Sequence, residues 1–123
     1  MNNGWIGVDL DGTLAHDGGW QGPKHIGKPI AEMVLMVRAW LAQGIEVRIF
    51  TARASVPSHV PLIQTWSAKH IGVALPVTNV KDYNMIELWD DRCVRVIKNT
   101  GRPCCALEIK NKKPAYNQKD DKE

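Results

Sequence analysis

The chain has no run of about 18 apolar residues, so hydropathy gives it no segment that spans a bilayer. Its first residues, Met1-Asn2-Asn3-Gly4-Trp5, lack the basic start and apolar core of a signal peptide. Charge of one sign is also lacking. Sixteen lysines and arginines against 13 aspartates and glutamates leave a formal net charge of +3, too little to argue for nucleic acid by itself. Cysteine is scarce: Cys93, Cys104 and Cys105 are odd in number, two are adjacent, and no Cys-x-x-Cys pair occurs. That pattern excludes the usual zinc spacing and predicts a reduced, cytoplasmic chain with buried thiols. There are no internal repeats.

What is present suits a single domain. The chain has 123 residues, of which 44% are hydrophobic, enough for one core. The expected domain covers residues 1–109. From Lys110 onward the chain is almost free of apolar residues and reads as a flexible charged tail, 110–123.

The organising stretch is Trp5-Ile6-Gly7-Val8-Asp9-Leu10-Asp11-Gly12-Thr13-Leu14. Trp5 to Val8 reads as a short buried strand that ends in two carboxylates and a turn-forming glycine. In a strand, residues two apart share a face, which predicts that Asp9 and Asp11 point the same way. Residues 15–28 hold four glycines and a proline and read as a loop, flap or hairpin. Within it, His16, Trp20 and His25 either line a substrate mouth or serve the loop itself.

Apolar residues at Ile30, Met33/Val34, Val37 and Leu41 predict a helix over 29–43, with Pro29 in its first turn and Gly44 as its stop. A strand over 45–50 follows. Ser58 is a candidate N-cap for a helix running to about His70. Further strands are expected at 75–80 and 85–89. The alternation at 94–97 is either a fifth strand or a connector. Strand, helix and strand in this order predict parallel βαβ units and an α/β fold.

Four apolar runs end in Asp9/Asp11, Thr51/Arg53, Lys81 and Asp90/Asp91. In an open parallel sheet such ends gather along one edge, where ligands bind. Clustered carboxylates need a proton or cation between them, and an all-oxygen donor set suits Mg²⁺. A hydroxyl, a lysine and an arginine beside them would hold phosphate oxygens. The chemistry that uses all of these is phosphoryl transfer.

The run Asp9-Leu10-Asp11-Gly12-Thr13, then Thr51, Lys81 and Asp90-Asp91, each after an apolar strand, resembles the four motifs of the haloacid dehalogenase superfamily over about residues 5–98. The resemblance implies a three-layer α/β/α sandwich on a Rossmann-like parallel sheet and a Mg²⁺-dependent phosphomonoester hydrolase. By it, Asp9 is the nucleophile that forms an aspartyl-phosphate. Asp11 is the general acid/base and offers its backbone carbonyl to the metal. Thr51 and Lys81 bind phosphate, and Asp91 is the direct metal ligand with Asp90 beside it.

About forty residues separate Asp11 from Thr51 and thirty separate Thr51 from Lys81, which leaves no room for a cap domain. An open site admits bulky substrates or invites an oligomer to complete it. Thr51-Ala52-Arg53 and Asp90-Asp91-Arg92 are also similar to polynucleotide 3′-phosphatase domains, which makes Arg53 a candidate phosphate binder. The expected substrate is thus a small phosphorylated metabolite or a nucleic-acid end. A non-catalytic phosphate-binding module of the same fold is the alternative of another class.

Overall fold

A computed structural model describes residues 4–104. The expected tail at 110–123, residues 105–109 of the expected domain and Cys105 lie outside the described residues. The protein is α/β. Strands β1 (Trp5–Val8), β2 (Glu46–Phe50), β3 (Val77–Thr78) and β4 (Met85–Trp89) form one parallel sheet in the order β3-β2-β1-β4. Helices α1 (Ala31–Ala42) and α2 (Val60–His70) fill the first two crossovers. None of the helices among the described residues is long and apolar enough to cross a membrane.

Side chains alternate along a strand, so Ile6 and Val8 of β1 share a face with Val47 and Ile49 of β2. On that face they join Val34 and Val37 of α1 and Ile63 and Trp66 of α2 in one core. Each such side chain, fully buried, contributes about 1.5–3 kcal/mol. Both helices therefore cover the same side, as two successive crossovers in one direction require. The expected second helical layer has no counterpart among the described residues. On the opposite face Trp5 lies fully buried beside Gly7, with the Arg48 guanidinium 4.4 Å from its ring. The β3–β4 link is fastened there: the Trp5 indole N–H donates to Asp82 (2.8 Å), and Trp5 N–H donates to the Asn84 carbonyl (2.9 Å). That indole bond holds the Asp82 carboxyl below the usual carboxylate range.

Several local expectations change. Pro29 precedes α1 instead of entering its first turn; it bridges to Ala15, and Ile30 is the N-cap. His16 N–H to the Lys28 carbonyl and Ile30 N–H to the Leu14 carbonyl, both 2.8 Å, close the base of the loop between them. Ser58 caps nothing. The chain enters α2 through a 3-10 turn, Pro57–His59, and the cap residue His59 is already in helical geometry, whereas a capping serine needs extended backbone.

The strand expected over 75–80 shrinks to Val77–Thr78 because its flanks are bonded elsewhere. Leu75 N–H donates to the buried Ser67 hydroxyl and the Leu75 carbonyl accepts from Gln64, while Val80 N–H donates to Thr78 Oγ1. The 94–97 stretch is a connector, with one antiparallel bridge from Val96 to Pro103. Cys93 and Cys104 are exposed, not buried, because they follow the last strand, in a segment that adds nothing to the core.

Candidate functional site

Strand order decides which of the predicted residues meet. β1 lies between β4 and β2, so the end of β1 is flanked by Asp90 and Asp91 on one side and by Thr51 and Arg53 on the other. Asp9 N–H donates to the Trp89 carbonyl (2.9 Å), which pins the end of β1 to the end of β4. Carboxylate oxygens of Asp9, Asp90 and Asp91 then lie within 4.8 Å of one another. Period-2 reasoning left the choice between Asp90 and Asp91 open; the geometry brings both to Asp9.

Thr13 and Gly12 set the spacing. Thr13 Oγ1 lies 3.4 Å from Asp9 Oδ2 and 3.2 Å from Asp91 Oδ1, and it accepts from Asp91 N–H at 3.0 Å. Gly12 has φ +96°, and a Cβ there would stand 2.7 Å from the Asp91 carboxylate. Only glycine lets the turn and Asp91 approach this closely.

Three carboxylates this close cannot all ionise without a counter-charge. Burial first, then the hydrogen bond with Asp91 and the charges of Asp90, Asp91 and Asp11, push the Asp9 carboxyl up to about 9. An all-oxygen set of this kind could hold a hard divalent cation, which would replace the proton. The sign of the pH dependence follows. Between the ordinary carboxylate value and about 9, the unfolded chain has lost the Asp9 proton while the metal-free folded chain retains it. Stability is then full below pH 4 as far as this group is concerned, and falls as pH rises toward 9. Thermal melts in chelator should show this fall. It should flatten with excess Mg²⁺ and disappear in Asp9→Asn; an unchanged slope in that variant would refute the assignment.

Asp11 departs from the two-residue expectation. β1 ends at Val8, and residues 10–15 fold into a turn in which Leu14 and Ala15 N–H both donate to the Leu10 carbonyl. Strand alternation therefore no longer applies, and the Asp11 carboxylate is directed to Arg53. Arg53 Nε donates to Asp11 Oδ2 (2.9 Å) and Nη2 to Asp11 Oδ1 (2.8 Å). The same guanidinium donates to the carbonyls of Pro23 (3.3 Å) and His25 (3.0 Å) in the glycine-rich loop. Arg53 is therefore committed to Asp11 and the loop rather than held open as a phosphate clamp. Thr51 is buried at the end of β2. Its Oγ1 accepts from Arg53 N–H (3.1 Å), which opens the 3-10 turn Ala52–Ser55.

A cavity of about 810 Å³ adjoins these groups. Asp9, Asp11, Asp90, Thr51 and Arg53 line it, together with Asp17, Trp20, Phe50, Val56, His59, Asn79 and Arg92. Lys81 does not. β3 is an edge strand, and the chain turns from it toward the far face, so Asn79 takes the position at the cavity wall. Lys81 is exposed, and its charge is felt at the Cys93 thiol. Partial burial, then Asp90, Asp9 and Asp91, push that thiol up against the opposing effect of Lys81. Of the loop residues, Trp20 lines the cavity, His25 contributes its carbonyl, and His16 is exposed away from the lining.

Sequence reasoning assigned no role to Arg92, Asn79 or His59. Arg92 had a signal, since it directly follows Asp90-Asp91; the other two had none. His59 Nδ1 is buried without a hydrogen-bond partner. The chain matches no family model, no curated protein and no solved structure.

Proposed function

We propose that the protein is a Mg²⁺-dependent phosphomonoester hydrolase of the haloacid dehalogenase type that acts through an aspartyl-phosphate on Asp9. The observation that carries this reading is the convergence of Asp9, Asp90 and Asp91 within 4.8 Å at the carboxyl edge of a parallel sheet, with the Asp11–Arg53 pair alongside. The superfamily's three-layer form and an uncapped cytoplasmic enzyme belong to the same proposal.

The chemistry divides among the residues as follows. Asp9 attacks phosphorus with one carboxylate oxygen, and the phosphorus–oxygen bond to the alcohol breaks. Asp11 accepts from Arg53 at both oxygens, so it takes up a proton from solvent as the dianionic phosphate binds and gives that proton to the leaving oxygen; it then takes one from the water that cleaves the acyl-phosphate, restoring Asp9 and releasing inorganic phosphate. Arg53 positions Asp11, since a side-on guanidinium fixes both carboxylate oxygens in one plane. Thr51 Oγ1 already accepts from Arg53 N–H, which leaves its hydroxyl proton for another acceptor, and a substrate phosphate oxygen would be one. Mg²⁺ held by Asp9, Asp90 and Asp91 would neutralise the cluster and draw charge from the phosphate oxygens. Arg92 in the cavity wall and the exposed Lys81 add positive potential that favours an anionic substrate.

The test is phosphate release from a panel of sugar phosphates, nucleoside monophosphates and a 3′-phosphorylated oligonucleotide, with Mg²⁺ and with chelator. Release should stop in chelator and return when Mg²⁺ is restored. Release that persists in excess chelator would overturn the metal assignment. No release from any substrate would favour the phosphate-binding module.

A further inference from the structure

We infer that the cavity beside Asp9 contains a subsite for a planar aromatic ring, so that the substrate is a nucleoside monophosphate. This rests on the phosphomonoesterase reading and deepens it.

The cavity is an open cleft of about 810 Å³, more than a phosphate alone fills and within the range of clefts that take ligands with rings. The walls are also divided: Asp9, Asp11 and Asp90 bring the acid chemistry, whereas Trp20, Val56 and His59 bring two aromatic rings and an aliphatic side chain. Trp20 is 52% exposed and Val56 43% exposed, although both line the cavity. Such surface beside a reacting centre is best covered by an apolar or aromatic part of the ligand.

The aromatic wall is also pre-organised. The Trp20 ring lies 4.9 Å from the Arg53 guanidinium carbon, which is itself held by Asp11 and by two loop carbonyls. The His59 imidazole stands 6.5 Å from the indole, tilted by 34°. The two rings are thus placed before any ligand arrives, and an aromatic side chain loses little freedom on stacking. Trp20 and Asp9 line the same cavity, so a nucleotide that fills it can present its base to the indole and its phosphate to Asp9. The net reaction is hydrolysis: water enters, the phosphorus–oxygen ester bond breaks, and nucleoside and inorganic phosphate leave.

The experiment compares adenosine 5′-monophosphate with ribose 5-phosphate, which carries the same reacting group and no base, in wild type, Trp20→Ala and Trp20→Phe. Base stacking on an aromatic side chain leads us to expect wild type to prefer the nucleotide in kcat/KM by about tenfold or more. Trp20→Ala should erase most of that preference, chiefly through KM, and Trp20→Phe should restore most of it. If wild type uses the two substrates equally, or if Trp20→Ala lowers both by the same factor, Trp20 only supports Arg53 and the inference fails while the phosphatase reading stands.

A 3′-phosphorylated oligonucleotide turned over better than 3′-adenosine monophosphate would overturn the mononucleotide assignment. If no substrate shows Asp9-dependent release, calorimetric titration of Asp9→Asn with adenosine monophosphate and Mg²⁺ decides. Binding that weakens about tenfold on adding Trp20→Ala keeps the ring subsite and removes the phosphatase reading, and absence of binding removes both.

Discussion

Asp9→Asn should lower Mg²⁺-dependent phosphate release by about 10⁴-fold or more, the scale on which removal of a nucleophile acts. Asparagine keeps the volume of aspartate and its bond from Thr13, but its amide cannot attack phosphorus. The same variant should melt no lower than wild type in chelator at neutral pH. There the native carboxyl is held protonated by burial and by Asp91, Asp90 and Asp11, with its value pushed up to about 9. A neutral amide avoids that cost.

These two readouts together make the result specific. Lost turnover with retained or raised stability assigns Asp9 to chemistry. Lost turnover with a lower melting temperature would mean that the side chain serves the fold. Turnover near wild type would place the nucleophile elsewhere. Mg²⁺ should raise the melting temperature of wild type more than that of the variant, because the variant contributes a neutral oxygen in place of a carboxylate.

The frame was legible in the sequence wherever one local rule dominates. Ile6 and Val8, Val47 and Ile49, and Val34 and Val37 announce their elements by spacing, and all six are in the core. The terminal Asp9 and Asp90 were legible for a related reason: apolar strands that stop at carboxylates have to expose them at the sheet edge.

What was not legible depends on contacts between distant segments. β3 is short because Ser67, eight residues before Leu75, takes the Leu75 N–H. No periodicity records that competition. The helices share a face because β1, β2 and β3 follow one another in one direction across the sheet, and strand order is not written in any one strand. Asp11 looked like a partner of Asp9 because it is two residues away. Its real partner is 42 residues away, and the turn from Leu10 to Ala15 is what removes it from the strand. Trp20 was legible as a candidate wall of a substrate mouth, but its contact with Arg53 was not, since that depends on where a residue 33 positions away stands.

Arg53→Met should have the second-largest effect, on activity and stability together. The guanidinium side chain is 8% exposed and its Asp11 partner 28% exposed, so the pair is shielded though not sealed. Removing one partner of a fully buried pair costs about 3–5 kcal/mol, and the partial exposure of Asp11 reduces this to about 1–3 kcal/mol. Methionine fills much of the same space, so the loss measures charge and hydrogen bonds more than a cavity. Activity should fall about 10²-fold or more, because a general acid a fraction of an ångström out of place loses most of its advantage.

Arg53→Lys tests the geometry. Its ammonium keeps the charge but cannot donate side-on to both oxygens of Asp11 while also reaching the carbonyls of Pro23 and His25. It should recover stability more than activity. If lysine restored both, only the charge at position 53 would matter. If methionine left kcat unchanged, Asp11 would not depend on Arg53 for its position. The pairing also couples the loop to the chemistry. In Arg53→Met the two loop carbonyls lose their shared donor, so proteolysis within residues 16–28 should quicken along with the loss of rate, a joint change that an arginine acting on phosphate alone would not produce.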